Sequence, residues 1–380
     1  MTASRQSGLP LEGIVVADLS RVLAGPLVGM TLGDLGADVI KVESPAGDDT
    51  RHWAPPVDAQ GRATYHHAVN RNKRSIALDL KRPDELRLAR RLCERVDVVV
   101  SNFWPGALER FGLGYEEVSV VRPGVVYCEI SGFGEEAGAT LPGYDPLAQA
   151  VGGLMSITGP PGHPSKTGVA LVDVIAGLYA STAVLAALHE RERSGRGQRV
   201  TINLMHATLA SLANQASGWL GGGVVPAAMG NAHPSIEPFG TYRAADGELM
   251  ICVGNDRQFQ ALVAELGVPE LAADARFSTN AARVEHRDLL RPELEGRLGR
   301  RSCAEWSGVL NDAGVPAGPI QTVPEAFAYA RGLGLDVVDD HDEVRTVTFP
   351  ARLSRTPALT RRRPPDLDEH GAEIRAWLDE

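Results

Sequence analysis

Residues 14–44, IVVADLSRVLAGPLVGMTLGDLGADVIKVES, contain the pattern that decides the fold. Two short runs rich in β-branched residues, IVVADLS (14–20) and ADVIKVES (37–44), enclose a stretch with the length of a helix. A strand, a helix and a second strand in this order are typical of a βαβ unit, whose two strands run parallel. The stretch therefore predicts an α/β fold.

Further strand-like runs continue this rhythm along the chain. They are SIALDLK (75–81), DVVVSNF (97–103) and VVYCEISGFG (125–134). Residues 82–96 between two of them combine spaced leucines with acids near the start and arginines near the end, as a helix prefers. A Ser-Gly-Arg-Gly turn at 194–197 precedes another strand that completes the sheet. We expect a mostly parallel sheet covered by helices.

The glycines of the first crossover do not specify a dinucleotide site. Gly25, Gly29, Gly33 and Gly36 fail to reproduce the spacing GxGxxG, whose turn would hold a pyrophosphate. Close packing of the helix is the expected reason for these glycines.

Length, composition and charge limit the class of protein. A chain of 380 residues with 43% apolar and 23% charged residues predicts a soluble protein of two domains, and a net charge of −10 disfavours nucleic acid. The N-terminal residues show no export signal, and the apolar run Val174–Leu188 is short for a bilayer, so it is interpreted as a core helix. We expect a cytoplasmic protein with no membrane partner. The four cysteines lie far apart, which favours reduced, mostly buried thiols over a disulfide or a zinc site.

The second half of the chain indicates a different organisation. The stretch SGWLGGGVVPAAMGNAHPSIEPF (217–239) has little periodicity and predicts a linker or a mobile loop. A hairpin around Asp246-Gly247 and a helix in NDRQFQALVAELGV follow, so the next domain mixes strands and helices. We expect a large domain at 1–205, a linker at 206–228, a small α+β domain at 229–320 and a return to the large domain at 321–380. The arginine-rich tail is interpreted as a surface wrap.

The stretch GVALVDVIAG (168–177) holds one carboxylate, Asp173, in an apolar run. As a structural residue, Asp173 is well placed to cap the following helix by accepting backbone hydrogen bonds. As a catalytic residue, it would be held ionised by the helix dipole and nearby N–H groups, which covalent catalysis by aspartate requires. The residues alone leave both interpretations open.

A series of ordered segments resembles one enzyme family over nearly the full length. The segments are LEGIVVADLSRVLAGPL, LGADVIKVESPAGDDTR, NKRSIALDLK, NFWPGALERFGLGY, ISGFG, GYDPLAQAVGGLMSITG, GVALVDVIAG and SGRGQRV. In this order they resemble the class III coenzyme A transferases, the family of formyl-CoA transferase and crotonobetainyl-CoA:carnitine CoA-transferase, which includes alpha-methylacyl-CoA racemase. The resemblance identifies Asp173 as the catalytic aspartate, which forms a mixed anhydride and then an aspartyl-CoA thioester.

The resemblance also implies where coenzyme A binds. Val22, Leu23 and Ala24 would line the pantetheine or adenine route, and Leu78 to Lys81 would hold the nucleotide. Asn102 and Phe103 follow the fourth strand, and Arg110 matches an arginine that meets the phosphates. The alternative for Lys81 and Arg110 is a solvated surface charge. No metal and no tightly bound cofactor are implied, because coenzyme A enters as a substrate.

Tyr144 and Asp145, in GYDPLAQ, match residues beside the thioester. The racemase branch has histidine in place of Tyr144, because moving a proton beside a thioester requires a base of near-neutral pKa. Tyrosine therefore favours transfer over racemisation, although a buried core tyrosine is the structural alternative. Ser44 and Pro142 stand where formyl-CoA transferase has arginine and lysine, so formyl transfer to oxalate is not indicated.

The family architecture implies a Rossmann-like large domain, a smaller domain, and an interlocked, ring-like homodimer whose active site lies at a subunit interface. Gly221–Gly223 and MGNAHPSIEPF are candidate lid elements, with His233 interpreted as a loop hydrogen-bonding residue. The expected function is transfer of coenzyme A from an acyl-CoA to a small carboxylic acid. The alternatives are an acyl-CoA isomerase, either a 2-methylacyl-CoA racemase or an intramolecular CoA transferase, and a CoA-binding protein that has lost its chemistry.

Overall fold

A computed structural model describes residues 8–380; the N-terminal residues 1–7, on which the expected absence of an export signal partly depends, lie outside the described residues. The strands are β1 Val15–Asp18, β2 Asp38–Glu43, β3 Lys73–Ala77, β4 Val98–Ser101, β5 Val126–Ser131, β6 Arg199–Asn203, β7 Phe239–Arg243, β8 Glu248–Cys252, β9 Ala317–Pro319, β10 Val338–His341 and β11 Val344–Val347. The helices are α1 Ala24–Asp34, α2 Thr64–His67, α3 Pro83–Arg95, α4 Tyr115–Val121, α5 Asp145–Val151, α6 Leu154–Ile157, α7 Leu171–Ser194, α8 Leu204–Ser211, α9 Ala213–Gly222, α10 Asp256–Glu265, α11 Asn280–Glu285, α12 Arg287–Leu298, α13 Cys303–Asp312, α14 Val323–Gly332 and α15 Gly371–Asp379.

Six strands form one parallel sheet in the order β3-β2-β1-β4-β5-β6. This order is doubly wound, because the chain moves outward from β1 in one direction and then in the other. The predicted strands and the parallel sheet are therefore confirmed. The third strand begins at Lys73, two residues before the predicted run, because Lys73 and Arg74 are buried and paired with Asp18 and Asp38.

Alternate side chains of each strand face opposite sides of the sheet. Val16, Val39 and Val98 pack with α1 and α7, whereas Ala17, Ile40 and Val99 pack with α3, α4 and α15. Both faces are thus buried, which explains why these strands are almost continuously apolar.

The glycines of the first crossover allow close packing, as the sequence predicts. A Cβ atom at Gly33 would lie 2.9 Å from the Cβ atom of Asn72, and one at Gly177 would lie 2.9 Å from the carbonyl oxygen of Ala24. Helix α1 therefore approaches Asn72, which directly precedes β3, and helix α7 more closely than side chains at Gly33 and Gly177 would allow.

Helix α7 is longer than the predicted apolar run at both ends. Within the described residues, it is the one helix that is long and apolar enough to cross a membrane by length and composition. Its residues Val172, Ala176, Ala180 and Val184 are buried in the same cluster as the strands, so the predicted core helix is confirmed.

Contacts divide the chain into two compact units, the first containing residues 8–154, Thr167–Val224 and Leu335–Glu380 and the second Met155–Lys166 and Val225–Gly334. Helices α8 and α9 occupy most of the stretch predicted as a linker. In the tail, β10 and β11 form a hairpin, and α15 buries Ile374 and Leu378 against the first unit's core.

The second unit has its own sheet and core. Strands β7, β8 and β9 pair antiparallel, and β7 and β8 form the hairpin predicted around Asp246-Gly247. Tyr242, Phe259 and Trp306 are buried in its core. All four cysteines of the chain are free thiols, and Cys93, Cys128 and Cys303 are buried, as predicted.

Candidate active site

A cleft lies at the carboxyl edge of the parallel sheet, where ligands bind in open α/β sheets. The loops that follow β1, β4 and β5 form its walls, and the first turn of α7 contributes Asp173. The cavity has a volume of about 200 Å³. Its lining includes Arg21–Ala24, Asp49, Asn102–Pro105, Ile130–Gly132, Leu141–Tyr144, Asp173 and Leu204.

Asp173 lies inside helix α7 and does not cap it. The helix begins at Leu171, its N-cap is Ala170, and Asp173 is the third helical residue. The capping interpretation of Asp173 is therefore wrong. Its side chain is partly buried, and no hydrogen bond or ion pair reaches its carboxylate from any residue in the described part of the chain.

The cap of α7 comes instead from Asp145. One oxygen of the Asp145 carboxylate accepts hydrogen bonds from the backbone N–H groups of Val172 and Asp173, at 2.8 and 3.3 Å. The other oxygen accepts from the Gln149 side chain at 2.6 Å. Asp145 is buried and is not among the residues that line the cleft, and both oxygens of its carboxylate are engaged in orienting the helix start and in binding Gln149.

Burial and the nearby charge of Asp145 raise the pKa of Asp173 to about 7. The sequence predicts a carboxylate held ionised by the helix start, and this expectation is wrong. The N–H groups that would stabilise the Asp173 anion are taken by Asp145, which adds a second negative charge. Near neutral pH, Asp173 is therefore divided between its protonated and ionised forms.

Tyr144 precedes α5 and faces the cleft with 58% of its surface exposed. The alternative of a buried core tyrosine is therefore wrong. Pro142 also lines the cleft, and Ser44 lies at a second cavity described below.

Val22, Leu23 and Ala24 line the cleft on the side of β1. The side-chain amide of Asn102 is occupied by the main chain of Arg21, accepting from its N–H at 2.8 Å and donating to its carbonyl at 2.7 Å. Phe103 lies against the guanidinium of Arg21, 5.5 Å from the ring centroid. The structure therefore brings these predicted residues together at one wall.

A second cavity of about 260 Å³ follows β2 and β3 and shares Phe103 with the cleft. Leu78 to Lys81 line it, together with Ser44 and Phe111. Lys81 is exposed, and Arg110 is exposed on the 3-10 turn Glu109–Phe111 without lining the cavity. The residues predicted to hold the nucleotide thus line a mainly apolar cavity, and the two exposed cations are Lys81, in its lining, and Arg110, next to the lining residue Phe111.

Sequence reasoning missed Arg21 and Asp49, which both line the cleft and form an ion pair with 3.5 Å between their charged groups. Arg21 could have been found from its position, because it comes directly after β1 at the edge where ligands bind. Asp49 had no such signal. Its place depends on the fold of the loop after β2.

The candidate lid elements have ordinary structural roles within their own segments. Gly221 and Gly222 end helix α9, and Gly223 adopts the left-handed conformation that caps it. His233 accepts a hydrogen bond from the backbone N–H of Ser235 at 3.0 Å, which confirms the interpretation of a loop hydrogen-bonding residue.

Comparisons with known proteins identify the family of the chain. The sequence profile of CoA-transferase family III matches residues 11–371. The chain is 44% identical to a succinate–glutarate CoA-transferase of Agrobacterium fabrum, covering 97% of this chain and 96% of the relative. It is 40% identical to a succinyl-CoA:glutarate CoA-transferase of Mus musculus, covering 96% and 85%. A solved structure of a CAIB/BAIF family protein from Brucella suis superposes with a TM-score of 0.89 at 45% identity, covering 98% of this chain and all of that one.

Proposed function

The chain belongs to CoA-transferase family III and is an enzyme that transfers coenzyme A from acyl-CoA to carboxylic acids, and from this premise we propose that Asp173 carries the acyl group and then coenzyme A. One observation carries the proposal. Asp173 is the cleft carboxylate that, among the described residues, has no hydrogen-bond or ion-pair partner, and its pKa is raised to about 7. A carboxylate without partners keeps its oxygen lone pairs for attack on a carbonyl.

The reaction balances without a metal or a redox step. The ionised Asp173 attacks the thioester carbonyl, the C–S bond breaks, and an aspartyl mixed anhydride and a CoA thiolate form. The thiolate attacks the aspartyl carbonyl, releasing the donor acid and leaving an aspartyl-CoA thioester. The acceptor carboxylate attacks this thioester and expels the thiolate, which then takes the acceptor acyl group and restores Asp173. No proton is gained or lost over the cycle.

We further propose short dicarboxylic acids as the acids exchanged. Two relatives at 44% and 40% identity are named for succinate and glutarate. Arg21 supports this choice, because its half-exposed guanidinium lines the same cleft as Asp173 and can pair with a carboxylate. Arg21 pairs with Asp49 at 3.5 Å, a long and exposed ion pair that the second carboxylate of a dicarboxylic acid can replace. A monocarboxylate lacks this second carboxylate and is expected to transfer more slowly.

Coenzyme A is proposed to extend across both cavities. The apolar hollow of Leu78 to Lys81 suits an adenine ring, and Lys81 and Arg110 are available to its phosphates. The pantetheine arm would pass Phe103, which both cavities share, and continue along Val22, Leu23 and Ala24 to the thioester. Tyr144 would lie beside the reacting group, where it is a poor base at neutral pH, so transfer is favoured over racemisation.

The interlocked homodimer of Rossmann-like chains also belongs to the proposal. Helices α9 and α14 have no buried residue, although Trp219, Leu220, Val323 and Tyr329 are among their exposed side chains. Helices of this length are marginal in water without packing, so a second copy is expected to cover them. The cytoplasmic location and the absence of a tightly bound cofactor stay predictions.

Mass spectrometry of trapped intermediates tests the assignment. Incubation with succinyl-CoA and then hydroxylamine is expected to convert Asp173 to a hydroxamate, and borohydride is expected to reduce it to the alcohol. Asp173→Asn under the same conditions should carry no modification. A modified peptide elsewhere in the chain would overturn the role of Asp173, and deuterium uptake at C2 of a 2-methylacyl-CoA without an acceptor acid would favour the isomerase.

A further inference from the structure

The loop between β1 and α1 contains a residue in a backbone conformation that its side chain disfavours. Val22 has a φ of +69°, in the left-handed region. A β-branched side chain crowds the backbone there, and such strain persists only where the surroundings hold it. Because Val22 lines the same cleft as Asp173, together with Leu23 and Ala24, its conformation shapes a wall of that cleft.

Side chains from other segments hold this loop at the strained residue and at the two residues before it. The Asp48 carboxylate accepts from the N–H of Val22, at 3.2 and 3.3 Å from its two oxygens. Asn102 holds the N–H and carbonyl of Arg21, and Lys41 donates to the carbonyl of Ser20 at 3.1 Å. Three successive residues of the loop are therefore tied to groups outside it.

The Asp48 carboxylate, called the clamp below because it holds the N–H of Val22, is itself anchored in the protein interior. Its carboxylate pairs with the Lys41 ammonium at 2.9 Å, and both side chains are fully buried. It also accepts from the N–H and hydroxyl of Thr50, at 2.9 and 2.8 Å. A satisfied buried network is rigid, yet a buried ion pair contributes little net stability compared with apolar residues of similar size. Net stability therefore does not explain why the Asp48–Lys41 pair lies beside the strained loop.

We propose that Asp48 is a positioning residue for acyl-CoA binding, which holds Val22 in its left-handed conformation and so keeps the cleft wall in its binding shape. This inference rests on the proposed function, because it takes the cleft as the acyl-CoA site. Asp48 itself does not line the cleft. Asp173 is oriented separately by Asp145, so loss of the clamp should weaken binding and spare the chemical steps.

Steady-state kinetics of Asp48→Asn test the inference. The KM for acyl-CoA is expected to rise roughly tenfold, while kcat changes by less than about twofold. A tenfold rise is near the lower end of the effects expected when a strained backbone conformation of this kind is lost. Asp34→Asn is the matched control, because Asp34 is also buried and paired, with Arg71 and Asn72, and does not line the cleft. It should lower the melting temperature and leave KM unchanged.

The substitution Val22→Gly provides a rescue test. It should restore the KM of Asp48→Asn only if Asp48 acts by holding Val22 in its left-handed conformation. Glycine adopts a positive φ without strain and needs no clamp. In the double variant Asp48→Asn with Val22→Gly, KM should return to within about twofold of Val22→Gly alone. An unchanged KM in Asp48→Asn, an equal rise in Asp34→Asn, or no recovery with Val22→Gly would each overturn the inference.

If Asp48→Asn does not fold, Asn102→Ala removes the second clamp while leaving Lys41 paired. It should also raise KM. Because Asn102 itself lines the cleft, the deciding result is recovery of KM with Val22→Gly, and no recovery contradicts the inference. Failure of the proposed function is distinguishable, since a wild-type chain without CoA transfer would reject that function, whereas a transferring enzyme with normal KM in Asp48→Asn rejects only the positioning role.

Discussion

Asp48 and Asp173 are both carboxylates at the carboxyl edge of the same sheet, and their surroundings differ in kind. Burial alone raises the pKa of Asp48, but the Lys41 charge and the hydrogen bonds from Thr50 and Lys41 lower it well below the usual range. Burial raises the pKa of Asp173 too, and Asp145 adds to the effect, so that the value reaches about 7. Partners, more than burial, separate a carboxylate that holds structure from one that remains reactive.

The largest expected effect comes from replacing the carboxylate that has no partner. Asp173→Asn should lower the rate of CoA transfer by roughly a thousandfold or more, because an amide of the same shape cannot form the anhydride. Initial rates with succinyl-CoA and glutarate measure the loss, and Asp34→Asn should keep a near-normal rate. A variant that retained a tenth of the activity would place the nucleophile elsewhere.

The pH dependence of the wild-type enzyme tests the raised pKa directly. Since only the ionised form attacks, and the pKa of Asp173 is about 7, kcat/KM should rise about tenfold between pH 6 and pH 8. Calorimetric measurement of the binding of free coenzyme A over the same pH range separates this effect from titration of the ligand. A flat profile from pH 5.5 to pH 8 would mean that Asp173 is ionised throughout.

Removing the neighbouring charge should make Asp173 more like Asp48. Asp145→Asn removes the like charge that contributes to the raised pKa of Asp173, so the pH profile of kcat/KM should move to lower pH. The ratio of kcat/KM at pH 6 to its value at the high-pH plateau should be severalfold higher in this variant than in the wild type. Gln149→Leu is the control, because it removes a hydrogen bond to Asp145 but no charge. An identical shift in both variants would attribute the effect to altered packing.

The last prediction concerns stability and does not involve turnover. Because the folded-state pKa of Asp173, about 7, lies above its ordinary value of 3.8, the folded chain retains a proton that the unfolded chain has lost, and stability falls as pH rises from about 4 to 7. Asp173→Asn should therefore be more stable than wild type at pH 8, by on the order of 2 to 4 kcal/mol, and no more stable below pH 4. Melting temperatures at both pH values measure this, and a gain of equal size at pH 4 would exclude an electrostatic origin.

Much of the fold was predictable from local patterns. The β-branched runs predicted the parallel strands because both faces of this sheet are buried, and the glycines of the first crossover indicated close packing. The start of β3 was missed because Lys73 and Arg74 resemble loop residues until their partners, Asp18 and Asp38, are known. The two short helices α8 and α9 were missed because their sequence lacks a regular apolar stripe.

By itself, the sequence determined the alternation of parallel strands with helices, and through it the edge of the sheet where Val22 and Asn102 follow their strands, because these features depend on local periodicity and on the geometry of parallel strands. Only the tertiary structure decided that Asp145 caps α7, that Asp48 holds Val22, and that Asp173 has no partner within the described chain. The reason is that hydrogen bonds and charge–charge energies depend on distances of a few ångströms between segments far apart in the sequence.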